Sequence, residues 1–134
     1  MRYMILIKAN DESEADVPPS MDLVEAMGKY NDELNKAGAL LAAEGLRASS
    51  HGALVRFTPQ GTSVIDGPFT ETKELIAGFW LIEVKSKDEA IEWARRVPRD
   101  PARPDAVYDI EVRRVFDEDF DPATAAVRRL TEGK

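Results

Sequence analysis

The sequence predicts an α+β fold of ferredoxin-like type, a βαββαβ chain with a β-hairpin inserted between its second and third core strands. Three observations carry that prediction. Residues 2–8 and 77–84 are short apolar runs of strand length. Residues 20–38 and 86–97 place apolar side chains at helical spacing behind a serine suited to cap a helix. Thr58-Pro59-Gln60-Gly61, with proline second and glycine fourth, is a turn signal between two short strand-like runs.

Taken in order, Arg2-Tyr-Met-Ile-Leu-Ile-Lys8 is apolar and bracketed by charge, as expected of a central strand buried on both faces. The polar stretch from Asn10 to Asp16 is expected to be a loop, and Pro18-Pro19 stops any strand. Ser20 caps a helix whose first turn holds Asp22, and Leu23, Met27, Tyr30 and Leu34 form its apolar stripe. Gly38 ends it. Ala39 to Leu46 is apolar and small, and pattern alone does not separate strand from helix there. Its closeness to the preceding helix makes it the second strand. Ser49 to Gly52 is loop, and Leu54–Phe57 with Ser63–Ile65 forms the inserted hairpin. Residues 77–84 are apolar on both faces. Ser86-Lys87-Asp88-Glu89 is a capping box for a second helix, which Pro98 stops. After a proline-rich loop, Tyr108, Ile110 and Val112 alternate with Asp109, Glu111 and Arg113 as a strand with one charged face. Asp121-Pro122 opens a last helix running to about Leu130. Residues 1–116 are read as the domain and 117–134 as an acidic tail with a short helix.

Composition narrows the functions. The chain has 134 residues, enough for one core that buries roughly two-thirds of the unfolded surface. It has no cysteine, which removes disulfides, thiolate metal sites and cysteine nucleophiles. His51 is the single histidine, so no histidine cluster can bind a metal within one chain. A formal net charge of −7 opposes binding to a phosphate backbone, so no nucleic-acid partner is expected. No stretch approaches ~18 uninterrupted apolar residues and the first residues lack signal-peptide features, so a soluble cytoplasmic protein with no membrane partner is expected. Gly45, Gly52, Gly61, Gly67 and Gly78 stand isolated, so no phosphate-cradling loop and no nucleotide cofactor is expected. No acidic loop has the regular spacing of a divalent-cation site.

The stretch Asp66-Gly67-Pro68-Phe69-Thr70-Glu71-Thr72-Lys73-Glu74 is the candidate site, because it sets charged groups before a buried strand that can hold them rigidly. Asp66 is either a turn residue accepting its own backbone amides or a general base at a strand end. Lys73, with Glu71 and Glu74 beside it, is either part of a solvated turn or a cation aimed at a substrate oxyanion. Glu44 sits at an exposed strand end or faces a pocket. Arg113 either pairs with Glu111 on the same side of its strand or grips an anionic ligand. The candidate set is therefore Asp66 as catalytic group, with Glu44, Lys73, Glu74 and Arg113 as ligand-binding groups. His51 is expected to be a bystander in its loop. Both helices cover one sheet face, while strands 2–8 and 77–84 are apolar on two, so a homodimer packed sheet to sheet is expected.

Glu44-Gly45-Leu46, the stretch from Asp66 to Glu74, Gly78-Phe79, the segment Glu89-Ala90-Ile91-Glu92-Trp93-Ala94 and Glu111-Val112-Arg113 resemble, in order and spacing, the YCII-related family. The Asp-Gly-Pro-Phe element names its DGPF branch, and the resemblance covers roughly residues 1–116. It implies a dimeric α/β-barrel of two ferredoxin-like subunits with an unassigned small-molecule site in each. Some relatives are associated with, or fused to, alternative sigma factors. Others carry a proposed His-Asp pair, which the loop position of His51 is expected not to supply. Two functions stay open: an acid-base enzyme acting through Asp66 on a small polar or anionic molecule, and a non-catalytic ligand-binding or accessory protein in a sigma-factor-linked circuit.

Overall fold

The computed structural model describes residues 1–69, 71–117 and 122–132, apart from the side chains of Lys73, Pro122, Thr124, Ala125, Arg128 and Glu132. The elements run β1 (Arg2–Lys8), α1 (Asp11–Glu14), α2 (Met21–Lys36), β2 (Leu40–Gly45), β3 (Ala53–Thr58), β4 (Gly61–Asp66), β5 (Ile76–Glu83), α3 (Lys87–Arg95), β6 (Ile110–Arg114) and α4 (Pro122–Glu132), with one-turn 3-10 helices at Ser49–His51 and Thr72–Glu74. β1, β2, β5 and β6 make one sheet in the order β2-β5-β1-β6, antiparallel throughout, and β3-β4 is a separate ribbon. Each helix of the pair α2 and α3 crosses over one intervening strand, so the core is the ferredoxin-like split βαβ.

The helices form where the local chemistry allows. Ser20 Oγ accepts the Leu23 amide at 3.2 Å, and Ser86 Oγ accepts the Glu89 amide at 3.1 Å. Glu89 reaches one residue further back than a capping box requires, taking the Lys85 amide at 3.0 Å. Gly38 closes the exit from α2 at φ 71°, a conformation glycine adopts without steric cost. The expected loop at Asn10–Asp16 contains instead the one-turn helix α1. Asn10 and Ser13 satisfy each other's amides at 2.9 Å, which lets an otherwise polar stretch hold a helical turn.

Tyr3 and Ile5 of β1, Trp80 and Ile82 of β5, Tyr30 and Leu34 of α2, and Ala90 and Trp93 of α3 make the core on one sheet face. Tyr30 meets Trp80 edge-on at 5.1 Å and donates its hydroxyl to the Trp93 carbonyl at 2.7 Å. Burial pushes the Tyr30 phenol well above its ordinary range. Trp80 Nε1 donates to Asn31 at 2.7 Å, so both polar aromatics are satisfied.

Register fixes the opposite face. Glu44, Phe79, Leu6 and Glu111 form one row across the four strands, and Ala42, Leu81, Met4 and Arg113 form the next. Met4, Leu6, Phe79 and Leu81 are only partly buried there. No helix among the described residues is long and apolar enough to cross a membrane.

Candidate functional site

Two of the residues singled out from the sequence stand on opposite edges of the sheet. Glu44 lies on the edge strand β2 and Arg113 on the opposite edge strand β6, three strand spacings apart or roughly 14 Å. Arg113 donates to Glu111 at 2.9 Å, and Lys8 approaches the same carboxylate at 3.3 Å. Those hydrogen bonds, Arg113's first, hold the Glu111 carboxyl below its ordinary range. Asp66 ends β4 opposite Ala53 and is exposed, with no side-chain hydrogen bond or ion pair among the described residues. Glu74 is exposed in the turn Thr72–Glu74, and the side chain of Lys73 lies outside the described residues.

Polar side chains converge instead where three loops meet, residues 10–17 after β1, 46–52 after β2 and 66–69 after β4. Asp16 stands at the centre at φ 60°, a left-handed conformation that aspartate tolerates better than most non-glycine residues. Arg47 Nε lies 3.3 and 3.1 Å from the two Asp16 oxygens, and Arg47 Nη2 closes a second bond to Oδ2. The Ala48 amide donates to Oδ1 at 3.1 Å, and His51 Nε2 lies 3.1 Å from Oδ2. The hydrogen bonds from Arg47 and then Ala48 hold the Asp16 carboxyl far below the usual carboxylate range, so it is ionised throughout the neutral range. Asp16 in turn pushes the Arg47 guanidinium further up.

A second carboxylate braces the same junction. Glu14 accepts the Ser49 amide at 3.0 Å and the Ser49 hydroxyl, whose oxygen accepts the Phe69 amide at 2.9 Å. The Gly67 amide donates to the Gly52 carbonyl at 3.1 Å. The Asp66-Gly67-Pro68-Phe69 turn is thus laid against the Ser49–His51 turn. No positive φ is needed at Gly67; what the position requires is the absence of a side chain.

His51, expected as a bystander, is therefore held by Asp16 across 35 residues of sequence, the pairing that its loop position argued against. His51 Nε2 lies within hydrogen-bond distance of Asp16 Oδ2 and of Arg47 Nη2, while Nδ1 has no protein partner among the described residues. In the tautomer that places the Nε2 proton toward the anionic Asp16, Nδ1 carries the lone pair. Nε2 cannot both donate to Asp16 and accept from Arg47 Nη2, which lies 2.9 Å away, so the ring tautomer decides which of the two contacts is the hydrogen bond. The side chains of Arg47 and His51 are 68% and 48% exposed, and that of Asp16 28%, so the cations face solvent over a recessed anion. Among the described residues no group of three or more His, Asp or Glu side chains is placed to hold a metal.

Part of the signal for this cluster was present in the chain: Asn10-x-x-Ser13 marks a capped turn leading to Asp16, and Arg47 and His51 stand four residues apart around the Ser49–His51 turn.

Compared with known proteins, residues 1–117 match the model of the YCII-related domain. An uncharacterised protein of Rhizobium meliloti is 38% identical over 102 residues, covering 71% of this chain and 78% of that protein. A solved structure of 5-chloro-2-hydroxyhydroquinone dehydrochlorinase from Burkholderia phenoliruptrix, in complex with 2,5-dihydroxybenzoquinone, aligns at TM-score 0.44 and 19% identity, covering 90% of this chain and 100% of that one.

Proposed function

Because the chain belongs to the YCII-related family, we propose that it binds a small polar or anionic molecule at the three-loop junction and performs acid-base chemistry there with His51. The single observation that carries this reading is the Asp16–His51 contact at 3.1 Å on a half-exposed imidazole. In the reaction, Nδ1 exchanges a proton with the substrate: the imidazolium donates it as acid to a bound anion and is formed again when Nδ1 takes a proton back. The imidazolium so formed keeps its Nε2 proton on Asp16, whose ionised carboxylate stabilises the new charge. Arg47 offsets the carboxylate so that the pair is neutral at rest, and Asp66, at the rim of the adjoining turn, is a second polar contact for the ligand. Glu44 and Arg113 stand on opposite edge strands and are not part of this proposed site.

The Asp66-Gly67-Pro68-Phe69 element supports placement in the DGPF branch. The partly buried apolar face of Met4, Leu6, Phe79 and Leu81 supports a homodimer in which two sheets pack face to face as an α/β-barrel.

A second reading, ligand binding without turnover in a regulatory or accessory role, is favoured by the openness of the site, since chemistry gains from a closed, water-poor surrounding. A metabolite thermal-shift screen on the wild type, His51→Gln and Asp66→Asn, with turnover assays on each hit, separates the readings. Hits that are turned over by the wild type and bound but not turned over by His51→Gln support acid-base chemistry. Hits that no protein turns over support binding alone. A hit untouched by His51→Gln and lost in Asp66→Asn moves the site to the ribbon base.

A further inference from the structure

A charge count at the junction leads to a statement about the ligand. Asp16 is ionised and Arg47 is cationic, so with neutral His51 the three side chains carry no net charge. With Nε2 protonated toward Asp16, Nδ1 then presents a lone pair, which repels an anion. When Nδ1 gains a proton the cluster carries one net positive charge, and that nitrogen becomes a donor beside the exposed guanidinium. The remaining titratable groups of the adjoining loops are carboxylates. Glu14 is engaged by Ser49, and Asp66 stands at the end of β4, where the Gly67–Gly52 hydrogen bond ties it to the His51 turn. Within the three loops the cations among the described residues are Arg47 and, once protonated, His51, both on the solvent side, while Arg103 reaches the 10–17 loop from outside and is paired with Glu12.

We propose that Arg47 and His51 form an oxyanion-binding subsite that fills together with a proton on His51, so the ligand carries a carboxylate, sulfate-like or phosphate-like group and is held more tightly as pH falls. This rests on the reading of the three-loop junction as the ligand site and adds the charge class of the ligand and its proton linkage. By reciprocity, a bound oxyanion makes His51 harder to deprotonate.

His51 is the single histidine, so its imidazole signals in NMR are assigned without ambiguity. The full chain is titrated with pH in chloride, and again with sulfate or acetate at equal ionic strength. The expected result is a His51 titration midpoint raised by about half a pH unit or more by at least one oxyanion over chloride. Sulfate alone acting indicates a tetrahedral dianion as ligand group, and acetate acting as well indicates a carboxylate. Arg47→Gln is expected to lose the oxyanion-specific rise, and Arg47→Lys, which keeps the charge, to retain part of it. Equal midpoints in all three salts overturn the proposal, as does a full rise in Arg47→Gln. The nitrogen-15 shifts of the ligand-free protein test the underlying reading separately. A neutral ring protonated on Nδ1 removes the Asp16-oriented base itself, whereas an Nε2-protonated ring with no oxyanion effect removes the anion subsite alone.

Discussion

Gly67 lies so close under Ser49 that a Cβ built on it would stand 1.7 Å from the Ser49 carbonyl oxygen and 2.5 Å from its carbonyl carbon. The obstacle is backbone, which cannot swing away as a side chain could. Gly67→Ala must therefore push the Asp66–Phe69 turn off the Ser49–His51 turn, at a cost of about 2 kcal/mol or more. Gly28 is the control. It is exposed within α2 with open space around its Cα, so Gly28→Ala should stabilise by about 0.5–1 kcal/mol. Denaturant midpoints of the two variants, moving in opposite directions, check both statements.

Ser49 joins Glu14 to the Phe69 amide through one hydroxyl. Ser49→Ala should leave that amide without its acceptor and the Glu14 carboxylate without one donor, costing about 1–2 kcal/mol. Hydrogen exchange at Phe69 should speed up sharply, while exchange within β1 and β5 keeps the order set by the core. Unchanged protection at Phe69 would show that the relay does not hold the turn.

Asp16 supplies a pH signature. Its folded-state carboxyl is depressed, so its contribution to stability is present above the unfolded value near ~4 and is lost as pH falls through the folded value. Asp16→Asn keeps size and tolerance of the left-handed backbone but lacks the charge. The melting temperature of the wild type should exceed that of Asp16→Asn near neutrality, and the gap should shrink below about pH 4. A gap independent of pH would mean that the carboxylate charge is not what holds Arg47 and the Ala48 amide.

For the proposed homodimer, light scattering should give twice the monomer mass at micromolar concentration, with at least about 1,000 Å² buried in total. Phe79→Glu introduces a charge into the row between Glu44 and Leu6 and should release monomers that keep their secondary structure. A wild type that is monomeric at that concentration overturns the dimer.

The fold was legible where one physical signal dominated a segment. The serine caps at 20 and 86, the apolar stripe of α2 and the two-faced apolar strands all point to elements that the structure contains. Asn10–Asp16 was misread because polar composition suggests a loop, while the reciprocal bonds of Asn10 and Ser13 make a helical turn. The candidate site was harder to read, because alternation along β2 and β6 tells which face Glu44 and Arg113 occupy but not that the strands lie at opposite edges. His51 was overlooked for the same reason: a lone histidine says nothing about a carboxylate 35 residues away until the pairing of β1 and β2 on either side of β5 brings their loops together.

The ribbon β3-β4 hydrogen-bonds only within itself as a sheet, is exposed along nearly its whole length, and turns through two residues, Pro59 and Gln60. Its root, at Gly52 and Gly67, is where it joins the junction. Residues added in pairs to each strand keep inward and outward positions unchanged, because side chains alternate with a period of two. The ribbon is therefore an adjustable arm: its reach can be lengthened or shortened, or its tip fitted with a label, while the register of the four-stranded sheet and the hydrogen bonds at its root stay as they are.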